Sequence, residues 1–165
     1  MTKTLCEVRS LILQLKTIIE LTLECVENIA ALSSQKECRD VVKKFRSRAR
    51  ETPTYAFTNG LAYVITLLAA RSSRNVVEHG FMKVGSCSDI VNKVISERGA
   101  LKDEELSYGL YGAILVYIIK KADLIASNNF GELVREALNN STLDVKVRPV
   151  FEWIKRFAEA YIESE

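Results

Sequence analysis

The stretch from Val41 to Ala70, VVKKFRSRARETPTYAFTNGLAYVITLLAA, joins a basic segment to an almost wholly apolar one across a single proline. On a helix of 3.6 residues per turn, the basic segment has two sides. The apolar side holds Cys38, Val42, Phe45 and Ala49, and the cationic side holds Lys43, Lys44, Arg46, Arg48 and Arg50. We therefore predict an amphipathic helix that packs one side on a core and turns its cations outward.

The cationic side is either an ordinary solvated helix face or a surface for a polyanion. No acidic residue interrupts the run from Lys43 to Arg50, so few of these cations have a carboxylate one turn away. This favours a polyanion.

The ends of this helix are predicted from capping and proline signals. Ser34-x-x-Glu37 has the spacing of a capping box and predicts its start. It should end at Thr52, because Pro53 disfavours helical geometry in the residue before it. A second helix then runs over 53–70 with Asn59-Gly60 inside it, and its apolar character predicts that it is central to the fold.

A long N-terminal helix is predicted by the capping-box spacing of Thr4-x-x-Glu7 and by a sustained apolar seam. The seam comprises Leu5, Val8, Ile12, Leu15, Ile19, Thr22, Val26 and Ile29. A second set widens it: Leu11, Ile18, Leu21 and Cys25. Since a two-stranded coiled coil has a narrower stripe, we predict a core helix that packs on more than one neighbour.

The rest of the chain predicts a loop over 71–85 and further helices. Their starts are Ser86 or Ser88, then Asp103 for a helix to about Ala126, then Asn128 or Asn129, and finally a terminal helix beginning before Pro149 or at it. Gly109, Gly112 and Ala113 form a patch of small residues where another helix can pack closely. The fold class is therefore all-α, a single compact bundle of about six or seven helices in one domain, residues 1–165.

Composition supports this interpretation. The chain has 165 residues, 48% of them hydrophobic, with only two prolines and seven glycines, which suits helices better than a turn-rich β fold. No apolar run reaches the ~20 residues that a membrane-spanning helix needs, and the N-terminus becomes charged too early for a signal peptide. We expect a soluble, cytoplasmic protein without a membrane partner.

The four cysteines, Cys6, Cys25, Cys38 and Cys87, show no CxxC pair and no neighbouring histidine. Zinc needs several converging Cys or His ligands, so neither a metal nor any other cofactor is expected. Small buried apolar residues are the favoured interpretation. A disulfide such as Cys25–Cys38 is the alternative, in a thermophile.

Catalytic motifs are missing from the sequence. It has no GxSxG, no Gly-rich phosphate loop and no HExxH. His79 beside Glu78 is the single candidate general base. We predict that the protein is not an enzyme.

Charge is unevenly distributed along the chain. The net charge is +2, but residues 41–83 alone carry +6, which leaves −4 for the remainder. Such polarity suits a protein that binds nucleic acid on one side and acidic or protein partners elsewhere. Tyr55 and Phe57 follow the basic run and either stack on bases or anchor the next helix in the core. No motif that reads bases is present.

Three segments, taken together, resemble the small-subunit family of the type III-B (Cmr) CRISPR effector complex. They are ARETPTYAFTNGLAYVITLL (49–68), YGAILVYIIKK (111–121) and FEWIKRFAEAYIE (151–163), in the order in which the family has them. Pro53 and Asn59-Gly60-Leu61 match structural positions of the family, and Lys155 and Arg156 match the Lys-Arg of its terminal motif.

The resemblance implies a non-catalytic subunit of an RNA-guided complex. It implies three partners: other Cmr subunits, further copies of the chain, and the target strand or the guide–target duplex. The resemblance adds Lys155 and Arg156 to the five cations near Pro53 as RNA-binding candidates, although Glu152–Arg156 and Lys155–Glu159 are also i,i+4 pairs that satisfy them locally. The alternative is a helical adaptor that docks its basic face on an acidic protein, and the type III-A small subunit is a related possibility.

Overall fold

The computed structural model describes residues 4–83 and 85–164, and every regular element in them is helical. Seven helices have nine or more residues, and α4 and α8 are short. In chain order they are α1 (Leu5–Ala31), α2 (Arg39–Asn59), α3 (Leu61–Arg71), α4 (Arg74–Glu78), α5 (Cys87–Ile95), α6 (Asp103–Lys121), α7 (Phe130–Asn139), α8 (Ser141–Lys146) and α9 (Arg148–Tyr161). The predicted all-α class is confirmed.

The central helix is α6. Every residue from Leu106 to Ile119 is buried, and α6 contacts α2, α3, α4, α5 and α9. The sequence predicts that the helix over 53–70, with its apolar stretch at 61–70, is central, and this is wrong. Tyr63 and Thr66 of α3 are exposed and Leu67 is half-buried, so α3 packs one side on the core while α6 is covered all round.

The boundary predicted at Pro53 is also wrong. Helix α2 runs through Pro53 and ends at Asn59. Thr52 and Pro53 are both buried, so packing against the core outweighs the lost backbone hydrogen bond of proline. The break falls instead at Gly60, whose φ of 86° and ψ of 172° suit glycine alone.

Helix α3 begins with a cap from a distant residue. The backbone N–H of Leu61 donates to Oδ1 of Asp144 on α8 at 2.8 Å. A carboxylate at this position satisfies one free N–H group and complements the positive end of the helix dipole. The corner between α2 and α3 is therefore held in place by this hydrogen bond to α8.

Helix α1 starts as predicted and packs over only part of its length. Thr4 and Glu7 form both hydrogen bonds of the capping box. The first buried residue is Ile18, and Leu5, Val8, Ile12 and Leu15 are 40–81% exposed. The predicted core helix is thus confirmed for its second half and wrong for its first.

Of the other local predictions, those for Ser34 and for the loop are wrong, whereas those for Ser86 and Asn129 are confirmed. Ser34 does not cap α2: its hydroxyl donates to the carbonyl of Ala31, and two short 3₁₀ turns precede α2. The predicted loop over 71–85 contains α4 and a further 3₁₀ turn. Ser86 caps α5 and Asn129 caps α7, within the predicted alternatives.

The structure defines where α6 begins and ends, where α9 begins, and how the small residues of α6 pack. Lys102, not Asp103, is the N-cap of α6, which ends at Lys121 rather than near Ala126. Helix α9 begins at Arg148 with proline in its first turn. A Cβ on Gly112 would lie 2.8 Å from Val77 of α4, so the predicted close helix packing is confirmed there.

One disulfide joins two helices. Cys25 of α1 pairs with Cys87 of α5, whereas Cys38 is buried with a free thiol and Cys6 is exposed. The favoured interpretation of four small buried cysteines therefore holds for Cys38 alone. The alternative Cys25–Cys38 pair is wrong, because the chain folds α5 rather than the start of α2 against this part of α1.

Among the described residues, no helix combines the length and the apolar character that crossing a membrane requires.

Candidate nucleic-acid interface

The five cations of α2 do not share one face. Apolar residues occupy the side of the helix that packs on the core, and the cations divide between its two edges. One edge faces α9 and holds Lys43, Arg46 and Arg50, which line clefts with α9 and the residues after it. The other edge faces α6 and holds Lys44 and Arg48, where Arg48 is hydrogen-bonded to Tyr108 of α6. We call these the α9 edge and the α6 edge.

The α9 edge gathers cations from two helices around Glu159, and Glu51 and Glu163 line the same clefts. Nε of Arg50 lies 3.6 Å from Oε1 of Glu159, and Nη1 of Arg156 lies 3.4 Å from its Oε2. Lys155 lines the same cleft as Arg50. The i,i+4 pairs Glu152–Arg156 and Lys155–Glu159 do not occur among the described ion pairs, because Glu159 turns toward Arg50 and Arg156.

Arg46 contributes a buried donor to this edge. Its Nε is buried and has no hydrogen-bond partner among the described residues. A buried polar group without a partner costs about 1–3 kcal/mol. The cleft beside it is lined by Glu159 and the residues that follow, but an acceptor reaches this Nε only if neighbouring side chains move, because the atom is buried.

The α6 edge is built on a tyrosine. Tyr108 is only 6% exposed, and its hydroxyl accepts hydrogen bonds from Arg48 and, at 2.6 Å, from Nη1 of Arg71. The two guanidiniums also lie over its ring, 4.4 Å and 5.2 Å from the centroid. The hydrogen bond from Arg71 to Tyr108 raises the pKa of that guanidinium above its ordinary value.

Most of the predicted cations are thus brought together, but in two groups. Lys43, Arg46, Arg50, Lys155 and Arg156 belong to the α9 edge, and Lys44 and Arg48 to the α6 edge. Sequence reasoning missed Arg39, which lines a cleft with Lys43 and lies one helical turn before it. It also missed Arg71, for which no local pattern gives a signal, since only the fold brings it to Tyr108.

Tyr55 and Phe57 are 40% and 43% exposed. The suggestion that they anchor a helix in the core is therefore wrong. The guanidinium of Arg148 lies 5.5 Å from the centre of the Phe57 ring, so this aromatic group already has a cation over one face.

The candidate general base, His79, has a carboxylate partner that is distant in the sequence. Nε2 of His79 lies 3.3 Å from Oε1 of Glu97, whereas Glu78 pairs with Arg74 at 3.2 Å. His79 begins a 3₁₀ turn, and its ring contacts Glu97 of the turn after α5 rather than its sequence neighbour Glu78.

The fold and the candidate interface define a class, a small all-α protein whose distinctive surface is basic. The family model described as CRISPR-associated protein (Cas_Cmr5) matches residues 17–161, so the chain belongs to this family of type III-B Cmr complex small subunits. It is therefore a CRISPR-associated Cmr complex subunit, and its family implies association with other subunits of that complex. Neither the curated proteins nor the solved structures gave a significant match.

Proposed function

We propose that this protein is a non-catalytic Cmr subunit that stacks along the backbone of the complex, beside further copies of itself, and helps to hold target RNA during antiviral defence. The observation that carries the proposal is the α9 edge. Cations from α2 and α9 meet there, and Glu159 is the one carboxylate within ion-pair distance of them among the described residues.

Phosphate groups suit this edge for two reasons. Clustered lysines and arginines release counterions when they neutralise phosphates, which drives binding without regard to sequence. Arg46 also lines the cleft with Glu159, and a guanidinium there can donate hydrogen bonds to a phosphate oxygen. Several copies along one strand would add their modest contributions through effective concentration.

The test neutralises three cations of the α9 edge. Changing Lys43, Arg46 and Lys155 to Gln removes charge without setting a new carboxylate against Glu159. We expect the affinity for single-stranded RNA of mixed sequence to fall at least tenfold at low salt. The slope of log K against log salt should fall by about 2, since each phosphate contact on a single strand contributes roughly 0.7. Fluorescence anisotropy at several salt concentrations measures both.

A matched control neutralises three exposed cations elsewhere, Arg9, Lys121 and Arg135. It makes the same change in net charge and should retain most of the RNA affinity. Equal losses in the two triple variants would show that net charge alone attracts RNA, which would contradict a site at the α9 edge.

A protein adaptor is the second candidate, and the carboxylates already on this surface favour it. Glu159 pairs with Arg50 and Arg156 on the α9 edge, and Glu51 pairs with Arg48 of the α6 edge at 3.5 Å. Cations of both edges therefore bind protein carboxylates. If the protein binds no RNA at low salt and instead retains acidic Cmr subunits through Lys43, Arg46 and Lys155, the adaptor is the correct assignment.

A further inference from the structure

We propose that the α6 edge is a second contact for single-stranded RNA, at which Tyr55, Tyr63 and Arg71 stack on bases over a fixed support made by Tyr108 and Arg48. The inference rests on the proposed function, because it describes how the same RNA is bound through its bases as well as through its phosphates. The ligand class is an unpaired strand with accessible base faces.

The support is rigid because Tyr108 belongs to the buried central helix. Its hydroxyl accepts from both guanidiniums, and its ring lies against both of them. Arg48 is held further by Glu51. The orientation of Arg71 is therefore fixed from one side, while its side chain remains exposed on the other.

Three flat groups are exposed on this surface. Tyr55 is 40% and Tyr63 is 46% exposed, although large aromatic side chains usually bury most of their area. Tyr55 lies two turns after Arg48 on α2, and Tyr63 lies two turns before Arg71 on α3. These spacings of seven and eight residues keep each pair on one face of its helix. Phenol rings and guanidinium planes are the groups on which unpaired bases stack.

The local charge indicates that base stacking, rather than phosphate contact, contributes most of the RNA affinity at the α6 edge. Arg71 and Lys102 line a cleft with Glu104, Glu105 and Tyr108, so cations and carboxylates nearly balance there. A surface of this kind attracts phosphate weakly. Base stacking does not depend on net charge and contributes about 1–3 kcal/mol per base, or roughly 5- to 150-fold in affinity.

The experiment compares an unstructured RNA strand with a strand of the same length that carries abasic riboses. We expect the full-length protein to bind the normal strand at least tenfold more tightly. Changing Tyr55 and Tyr63 together to Leu should remove most of this preference, leaving the share due to Arg71, and should leave the salt dependence unchanged. Changing both to Phe keeps the rings and should keep the preference. Because both side chains are exposed, circular dichroism should show an unchanged helix content in both double variants.

Arg71 gives an independent variant. Arg71→Lys keeps the charge but loses the plane, so it should lose part of the preference for the normal strand, whereas a purely electrostatic role predicts no loss.

The outcomes separate this inference from the proposed function. Equal, salt-dependent binding of both strands by the wild-type protein would overturn the stacking site and leave the phosphate role of the α9 edge standing. No binding of either strand would overturn both. If an acidic peptide, and not RNA, loses affinity in the Leu variant, the α6 edge binds a protein and the inference is wrong.

Discussion

Glu136 of α7 holds the segment that follows α6. Its carboxylate accepts hydrogen bonds from the backbone N–H of Ala126 at 2.9 Å, and from the backbone N–H and the hydroxyl of Ser127. Burial acts to raise the pKa of Glu136, but the hydrogen bonds from Ser127 and Ala126 and the charge of Lys120 outweigh it, so its pKa lies below the ordinary value.

We predict that Glu136→Gln destabilises the protein at neutral pH and flattens its response to acid. A carboxyl whose pKa is lower in the folded state stabilises the fold above its unfolded pKa of about 4.3. That stabilisation is lost as the pH falls through the folded pKa. Urea unfolding between pH 7 and pH 3 should show the difference between wild type and variant shrinking toward acid.

The control for this prediction is Glu20→Gln on α1, where the carboxylate is exposed and, within residues 4–83 and 85–164, pairs with Lys16 alone. It should change stability little at any pH. A difference between wild type and Glu136→Gln that stays constant from pH 7 to pH 3 would contradict the assigned role.

Arg48 and Arg50 show what the sequence could predict about single residues and what it could not. Their position outside the apolar stripe follows from helical periodicity, and it is confirmed by the burial of Phe45 and Ala49. Their partners, Tyr108 and Glu159, are 60 and 109 positions away in the chain. Local spacing carries no information about such contacts, so the division of the cations into two edges was not predictable.

At the scale of the helix, two helix-breaking residues in the stretch that forms α2 and α3 compete to set the boundary between these helices. Proline and glycine both interrupt helices, and propensity alone assigns proline the larger penalty, about 3 kcal/mol against about 1. Burial of Thr52 and Pro53 reverses this order. Helix type was therefore predictable from the apolar pattern, whereas the boundary depended on which side chains the core covers.

We predict that Gly60→Ala destabilises the protein by about 1–3 kcal/mol, because its backbone region is nearly closed to other residues. A Cβ there would also lie 3.0 Å from a carboxylate oxygen of Asp144. Urea or thermal unfolding measures the loss.

Gly99→Ala is the matched control for this change. A Cβ at Gly99 has no neighbour within 4 Å, and the substitution should be neutral or slightly stabilising through the unfolded chain. Equal stability of the two alanine variants would show that the corner at Gly60 tolerates a side chain and that α2 and α3 are separated for another reason.

For the whole molecule, the distribution of charge is the property that matters most for assembly. Residues 41–83 carry +6 and the remainder carries −4. The fold places part of that acidic remainder, Glu159, against the basic helix. Glu159 therefore compensates part of the positive charge of the basic helix, and the rest remains in excess. This suits reversible contact with an RNA strand between protein neighbours.

We predict that removing this subunit from a reconstituted Cmr complex weakens target binding or slows turnover and leaves the cleavage positions unchanged. A subunit that only holds the strand alters occupancy and not the position of the reacting groups. Cleavage of one labelled target RNA by complexes with and without the subunit measures this. Shifted cleavage positions, or cleavage by the purified subunit that is lost on changing His79, would contradict the non-catalytic role.

The exposure of the first three turns of α1 also determines where proteases can cut the protein. Leu5–Lys16 extends for about 18 Å at 1.5 Å per residue, and none of the side chains from Thr4 to Lys16 is fully buried. So short a helix is marginal without packing, and it opens more readily than the core. Trypsin cutting after Arg9 and then Lys16 would leave a chain that begins at Thr17, where the family match begins. The segment most open to trimming is thus the segment outside the region that the family shares.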